Sequence, residues 1–174
     1  SKREGVQVLI TSHNLFHFLE LVDEVLWLKE KPQYFSKKRS FVDDLNKCEN
    51  QKSTLYISKK AMHSKSLDEW DLEGESLLLP KEFLVGQTEG FIQLKSNEVS
   101  ISKNFIEGIS IRNQLKVGVL EVETRANNTV LLKLALGRQV LLAEISRDAL
   151  EEIEIRPNQA VYALFKANIE LFYA

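Results

Sequence analysis

The sequence predicts a mainly β protein: small barrels carrying one short helix, preceded by a βαβ-like unit. Three observations predict it. From Leu55 onward, short apolar and alternating runs follow one another with turn residues between them. Ser146 introduces a single short helical stretch among those runs. The first 31 residues read instead as strand, helix, strand.

The βαβ-like unit opens with Val6-Gln7-Val8-Leu9-Ile10, a dense run of the kind found in a strand covered on both faces. It ends in Thr11-Ser12-His13-Asn14, where Asn14 is a good N-cap. Leu15, Phe16, Phe18, Leu19 and Val22 then recur at helical spacing. Glu24–Lys29 is the second strand, closed by Pro32. Residues 36–53 are polar and mixed in charge, and read as a linker or a solvated helix. Its basic run Lys37-Lys38-Arg39 reads as a solvated face.

The β region follows. Expected strands are Thr54–Ser58, Ser76–Leu79, Gly90–Leu94, Glu98–Ser102, Gln114–Thr124, Thr129–Leu136, Arg138–Ile145, Ala160–Phe165 and Ile169–Tyr173. Asn127-Asn128 makes a hairpin turn, and Gly137 another. Ser146 caps a helix over Arg147–Ile153, with Asp148 in its first turn. Arg156–Gln159 turns the chain back into the sheet. A weak repeat runs through this region. Gly90–Asn97 and Val161–Asn168 are both an apolar strand followed by Lys, a small residue and Asn, which predicts two related barrels in tandem.

Bulk properties narrow the function. Apolar residues make up 44% of 174, enough for a core. The net charge is -2, with no broad basic stripe, so nucleic acid has no electrostatic footprint. No apolar run reaches the ~18–20 residues that span a bilayer, so direct membrane insertion is not expected. Cys48 is the single cysteine, which excludes an internal disulfide and fits a reducing compartment. No signal peptide is read at the N-terminus. Because residue 1 is Ser and not Met, the chain reads as processed or excised from a longer one.

Two short motifs carry the chemistry. Ser110-Ile111-Arg112-Asn113 and Phe165-Lys166-Ala167-Asn168 each set one cation beside hydroxyl or amide groups, which suits a small oxyanion. The plain alternative is charge protecting sheet edges. His17 and His63 have no partners at metal-ligand spacing. No nucleophile motif surrounds Ser110. Trp27 and Trp70 read as core or interface.

Residues 108–173 resemble a Mop (molybdate/tungstate-binding, TOBE-type) domain. The resemblance lies in Gly108–Leu115 with Gly118–Val122, in Val140–Ser146, and in Pro157–Ala167. It implies an OB-like barrel. It also implies a ligand site in which Arg112 and Lys166 neutralise molybdate or tungstate. Ser110, Ser146 and the Ala167 backbone N–H would complete the hydrogen bonds, helped by the start of the short helix. Lys95 and Ser96 would form a second, degenerate site. In the family the anion sits between Mop domains, so a homodimer is implied.

Val8–Asn14 with Glu20–Val25 is similar to the switch-histidine strand and following helix of ABC-transporter ATPases, and His13 matches the switch histidine. Gly90–Ser102 resembles the regulatory segment before the Mop domain. Together these imply the C-terminal part of a molybdate-type importer ATPase subunit. Residues 1–35 would be the end of the nucleotide-binding domain, 36–53 a linker, 54–107 a first TOBE-like subdomain and 108–174 the Mop/TOBE domain. The chain lacks a GxxxxGK[ST] loop, an ABC signature and a magnesium-binding acidic strand. No catalysis is therefore expected of it, and ATP with magnesium would belong to the intact parent. The parent would sit at the inner face of the membrane, cytoplasmic and bound to the importer's membrane subunits. Other readings are a dimerisation module without ligand, a molbindin-like storage protein, or the effector half of a molybdate-responsive regulator. The ABC-like N-terminus argues against the last.

Overall fold

The computed structural model describes residues 9–11, 22–28, 32–37, 40–42, 44, 51–82 and 84–168. The expected helix after Asn14, His13 and His17, and the strand Ile169–Tyr173 lie outside them. So does most of Val6–Ile10, and the described Leu9 and Ile10 are in no strand.

The described part is β-rich. Strands β1 (Val25–Trp27) and β2 (Gln33–Phe35) form an antiparallel hairpin. Strand β1 was expected, over a longer span. Its partner β2 was not, because Gln33-Tyr34-Phe35 is too short to give a pattern. Residues 40–42 and 44 are helical. Phe41 and Val42 are fully buried there, in a small cluster with Val25 and Phe91, so the polar 36–53 stretch has one anchored apolar side. Trp27 and Phe35 both meet the Phe41 ring edge-on at 5.4 Å.

Two larger sheets follow. The first is ordered β5 (Glu75–Pro80), β4 (Leu67–Leu72), β3 (Lys52–Met62), β6 (Glu89–Lys95). The second is ordered β10 (Gln139–Ser146), β9 (Thr129–Leu136), β8 (Asn113–Thr124), β11 (Ala160–Phe165), β7 (Ser100–Ser102). The expected strand Glu98–Ser102 is shorter, because Ser96–Glu98 forms a single 3₁₀ turn. Strand β4 was not expected. Leu67, Trp70 and Leu72 are diluted by three acidic residues, although Trp70 and Leu72 are completely buried. The helix α1 (Arg147–Glu152) forms where Ser146 predicts it, and Ser146 Oγ accepts from Ala149 N at 3.1 Å.

The internal repeat is real in three dimensions. Strands β3–β4–β5 form a meander and β6 returns beside β3, while β8–β9–β10 form a meander and β11 returns beside β8. The register carries Ser53 onto Asn113, Leu72 onto Leu136 and Lys95 onto Lys166. Irregularities match too. The first strand of each copy bulges at the same place, Lys59/Ala61 and Val119/Glu121. Behind each bulge the same backbone bond recurs: Lys59 N to Thr88 O at 2.7 Å and Val119 N to Gln159 O at 2.8 Å.

The copies hold each other reciprocally. Ser53 Oγ accepts from Leu142 N at 2.7 Å, and Asn113 Oδ1 accepts from the equivalent Leu78 N at 2.8 Å. Asn113 Nδ2 also donates to Leu78 O at 3.1 Å. Gln139 takes both backbone groups of Tyr56, at 2.7 and 3.0 Å, and the equivalent Glu75 accepts from Lys116 N at 3.4 Å. A twofold pseudo-symmetry therefore relates the repeats. One core fills the space between them, with Leu55, Ile57, Trp70, Leu77, Ile92 and Leu94 from one copy and Leu115, Val117, Leu132, Leu141, Val161 and Phe165 from the other. Strand β7 leaves the first copy and pairs with β11 of the second.

Candidate functional site

Register places the basic motifs. The last registered pair of β8 and β11 is Asn113 with Phe165, so Arg112 and Lys166 each stand one residue beyond it, at the same end of the sheet. In the first copy the equivalent pair is Lys52 with Lys95. Each repeat thus ends its central strand pair in two cations.

The segment leading to Arg112 is fixed by its neighbours. Gln114 clamps Ile106, accepting from its N–H at 2.9 Å and donating to its carbonyl at 2.8 Å. Phe105 meets the Tyr162 ring edge-on at 6.0 Å. Ser110 and Arg112 are exposed at the end of this pinned segment. Lys166 is exposed directly after β11, and Ala167 is buried. Ser146 is exposed and occupied as the cap of α1.

The first copy differs. Lys95 is half-buried and lies 3.7 Å from the Glu98 carboxylate. Ser96 is buried, with its N–H on Gln51 O at 2.7 Å. The position equivalent to Ser146 is Glu82, and the described residues that follow it, 84–86, are turn and not helix. A carboxylate where the second copy has a capping hydroxyl disfavours an anion there. This is a physical account of the first copy's degenerate sequence.

A cleft of about 500 Å³ opens between the repeats, lined by Lys95, Glu98, Ser100, Ile111, Leu164, Phe165, Lys166 and Asn168. Of the residues singled out by sequence, Lys95 and Lys166 meet here, while Ser110, Arg112, Ser146, Ser96 and Ala167 are not among its lining. Glu98 and Ser100 escaped the sequence reading as candidate site residues, whereas Asn168 belongs to the Phe165–Asn168 motif it quoted. Only the repeat alignment, which puts Lys95 and Lys166 at equivalent places, signals that cleft. The strand β10 packs against the Ser96–Glu98 turn, so the second copy's Ser146-bearing strand runs beside the first copy's lysine motif. Among the described residues no cluster of His, Cys, Asp and Glu could hold a metal ion, and no helix is long and apolar enough to cross a membrane.

A family model described as TOBE domain matches residues 109–168, which contain both basic motifs of the second copy. Over most of its length the chain is similar to the molybdenum import ATP-binding protein ModC. It is 29% identical over 170 residues to that of Photorhabdus laumondii subsp. laumondii, covering 94% of this chain and 48% of the relative. To that of Pectobacterium atrosepticum it is 26% identical over 174 residues, covering 96% and 49%. A shorter match, 37% over 76 residues, joins it to ModC of Mannheimia succiniciproducens, covering 44% of this chain and 21% of the relative. The chain therefore spans at most about half the length of these relatives. In fold it is like the cytoplasmic molybdate-binding protein ModG, solved with molybdate bound. The TM-score is 0.54 at 21% identity, covering 66% of this chain and 90% of that one. The small OB-like barrels expected from sequence are the fold of the described chain.

Proposed function

We propose that this chain is the oxyanion-binding regulatory part of a molybdate/tungstate importer ATPase subunit, and that it works by binding and not by chemistry. One observation carries the reading. The strand register sets Arg112 and Lys166 at the same end of β8 and β11, inside the segment matched as a TOBE domain. Two cations beside a hydroxyl suit a tetrahedral dianion. Ser110 and Ser146 supply hydroxyls and Ala167 its backbone N–H. Lys95 and Ser96 form the weaker, second position. Residues 54–107 and 108–174 act as the two TOBE-like halves, after a nucleotide-binding remnant at 1–35 and a linker at 36–53.

The parent subunit would use ATP and magnesium, sit at the cytoplasmic face of the membrane and contact the importer's membrane subunits. A homodimer brings the site of one chain against another. Bound anion stabilises one domain arrangement and lowers transport when the ligand is plentiful. It can do so only by its differential affinity for the two arrangements. The second reading is a dimerisation module without ligand.

Calorimetric titration with molybdate, tungstate and sulfate, with the mass in solution recorded, tests the reading. Tight binding of the first two and not of sulfate is expected. A well-folded dimer that binds none of them overturns ligand sensing and leaves the module.

A further inference from the structure

Lys95 and Lys166 are equivalent under the repeat and line the same cleft. Residues related by a twofold meet only near its axis, so this cleft belongs to both repeats. We propose that it is a second oxyanion position, sharing Lys166 with the Arg112 site, in which Lys95 and Lys166 grip one tetrahedral dianion and Glu98 is a built-in competitor that the dianion displaces. The proposal rests on the oxyanion reading above and adds to it a site and a controlling residue.

The lining suits the task. Ser100 and Asn168 offer a hydroxyl and an amide, and Ile111, Leu164 and Phe165 give an apolar floor. A floor of low polarity strengthens the attraction between ammonium groups and an anion. The volume lies within the range of small-ligand pockets, about 300–1,000 Å³. Glu98 is the one carboxylate in the lining, 3.7 Å from Lys95 and half-exposed. By repeat register the matching sequence position is Ile169, outside the described residues, so the acid has no counterpart in the second copy. A dianion entering the cleft meets two cations and one anion. It must take Lys95 from Glu98, which lowers affinity and makes the site fill after the Arg112 site.

Molybdate titrations of the full chain test this, using Glu98→Gln, Lys95→Met, their combination and Arg112→Ala. Removing a like charge a few ångströms from a dianion in a half-exposed cleft should tighten binding there about five- to twentyfold. Glu98→Gln is expected to show that gain, Lys95→Met/Glu98→Gln to lose it, and Arg112→Ala/Glu98→Gln to keep it. Unchanged affinity in Glu98→Gln, or the same gain without Lys95, overturns the proposal. If wild type binds, Arg112→Ala abolishes all binding and Glu98→Gln has no effect, the cleft site fails while the oxyanion reading stands. If no variant binds molybdate, both fall. Thermal unfolding of each variant separates loss of binding from loss of fold, and Lys95→Arg should retain the second site.

Discussion

Arg112 and Asn113 are adjacent in sequence and do different work. Arg112 is exposed beyond the last strand pair. The substitution Arg112→Ala should leave the melting temperature nearly unchanged and weaken molybdate binding by about 1.5–3 kcal/mol, the value of a hydrogen bond to a charged group. Titration against wild type checks this, and equal affinity removes Arg112 from the site. Asn113 is completely buried, and its amide closes both polar groups of Leu78. Asn113→Ala should cost about 2–4 kcal/mol in urea unfolding, because two buried backbone groups lose their partner. Both residues were read from sequence as parts of one anion motif. The motif was legible because Ser, Arg and Asn cluster between apolar runs. The division of labour was not, since nothing in the local pattern says that Asn113 faces the other repeat.

Among the elements, the tight turns carry unequal strain. Gly137 adopts φ +57°, and a Cβ there would lie 2.6 Å from the Glu73 Cβ of the opposing hairpin tip. Gly74, at φ +93°, has open space around it. Gly137→Ala should therefore destabilise by roughly 2–4 kcal/mol and Gly74→Ala by only about 1–2 kcal/mol, compared by chemical denaturation. Across β4 and β5, the Ser76 hydroxyl donates to Glu69 at 2.8 Å, and Lys60 lies 3.0 Å from the same carboxylate. The Ser76 bond first, then Lys60, holds the Glu69 carboxyl below the usual carboxylate range. A lowered folded value stabilises above the unfolded value of about 4.3 and is lost as pH falls through the folded one. An NMR titration should find the Glu69 midpoint depressed, and moved back upward by Ser76→Ala. Strands such as β8 to β10 were legible because alternation matched burial. Strand β4 was hidden because acidic residues fall on both of its faces, Asp68 among the buried positions with Trp70 and Leu72, and Glu69 and Asp71 on the outer side, so no apolar alternation shows. The 3₁₀ turn Ser96–Glu98 took one residue, Glu98, from the strand expected over Glu98–Ser102, since three residues give no period to mark a turn.

For the whole molecule, one core and reciprocal hydrogen bonds bind the repeats, so they should unfold together. Urea unfolding followed by Trp70 fluorescence in a Trp27→Phe background should coincide with the far-ultraviolet transition. Two separated transitions would mean that the copies are independently stable. The sequence disclosed the repeat through one matched strand end, Lys95 and Lys166 with their neighbours. Its pseudo-symmetry was beyond reach, because the residues that carry it, Ser53 and Asn113, or Glu75 and Gln139, are equivalent in place and unlike in chemistry.

The reciprocal bonding has a topological consequence. Each copy uses a side chain at the equivalent place to hold the other's backbone, and the two are joined through residues 103–112. The first copy of one molecule would therefore satisfy the second copy of another with no change of partner atoms. That segment acts as a hinge whose length chooses between closure within a chain and exchange between chains. Shortening it by several residues should convert chains that each close on themselves into interlocked pairs with the same core, detectable as chains that no longer exchange with labelled chains without unfolding, with an unaltered melting transition at high concentration.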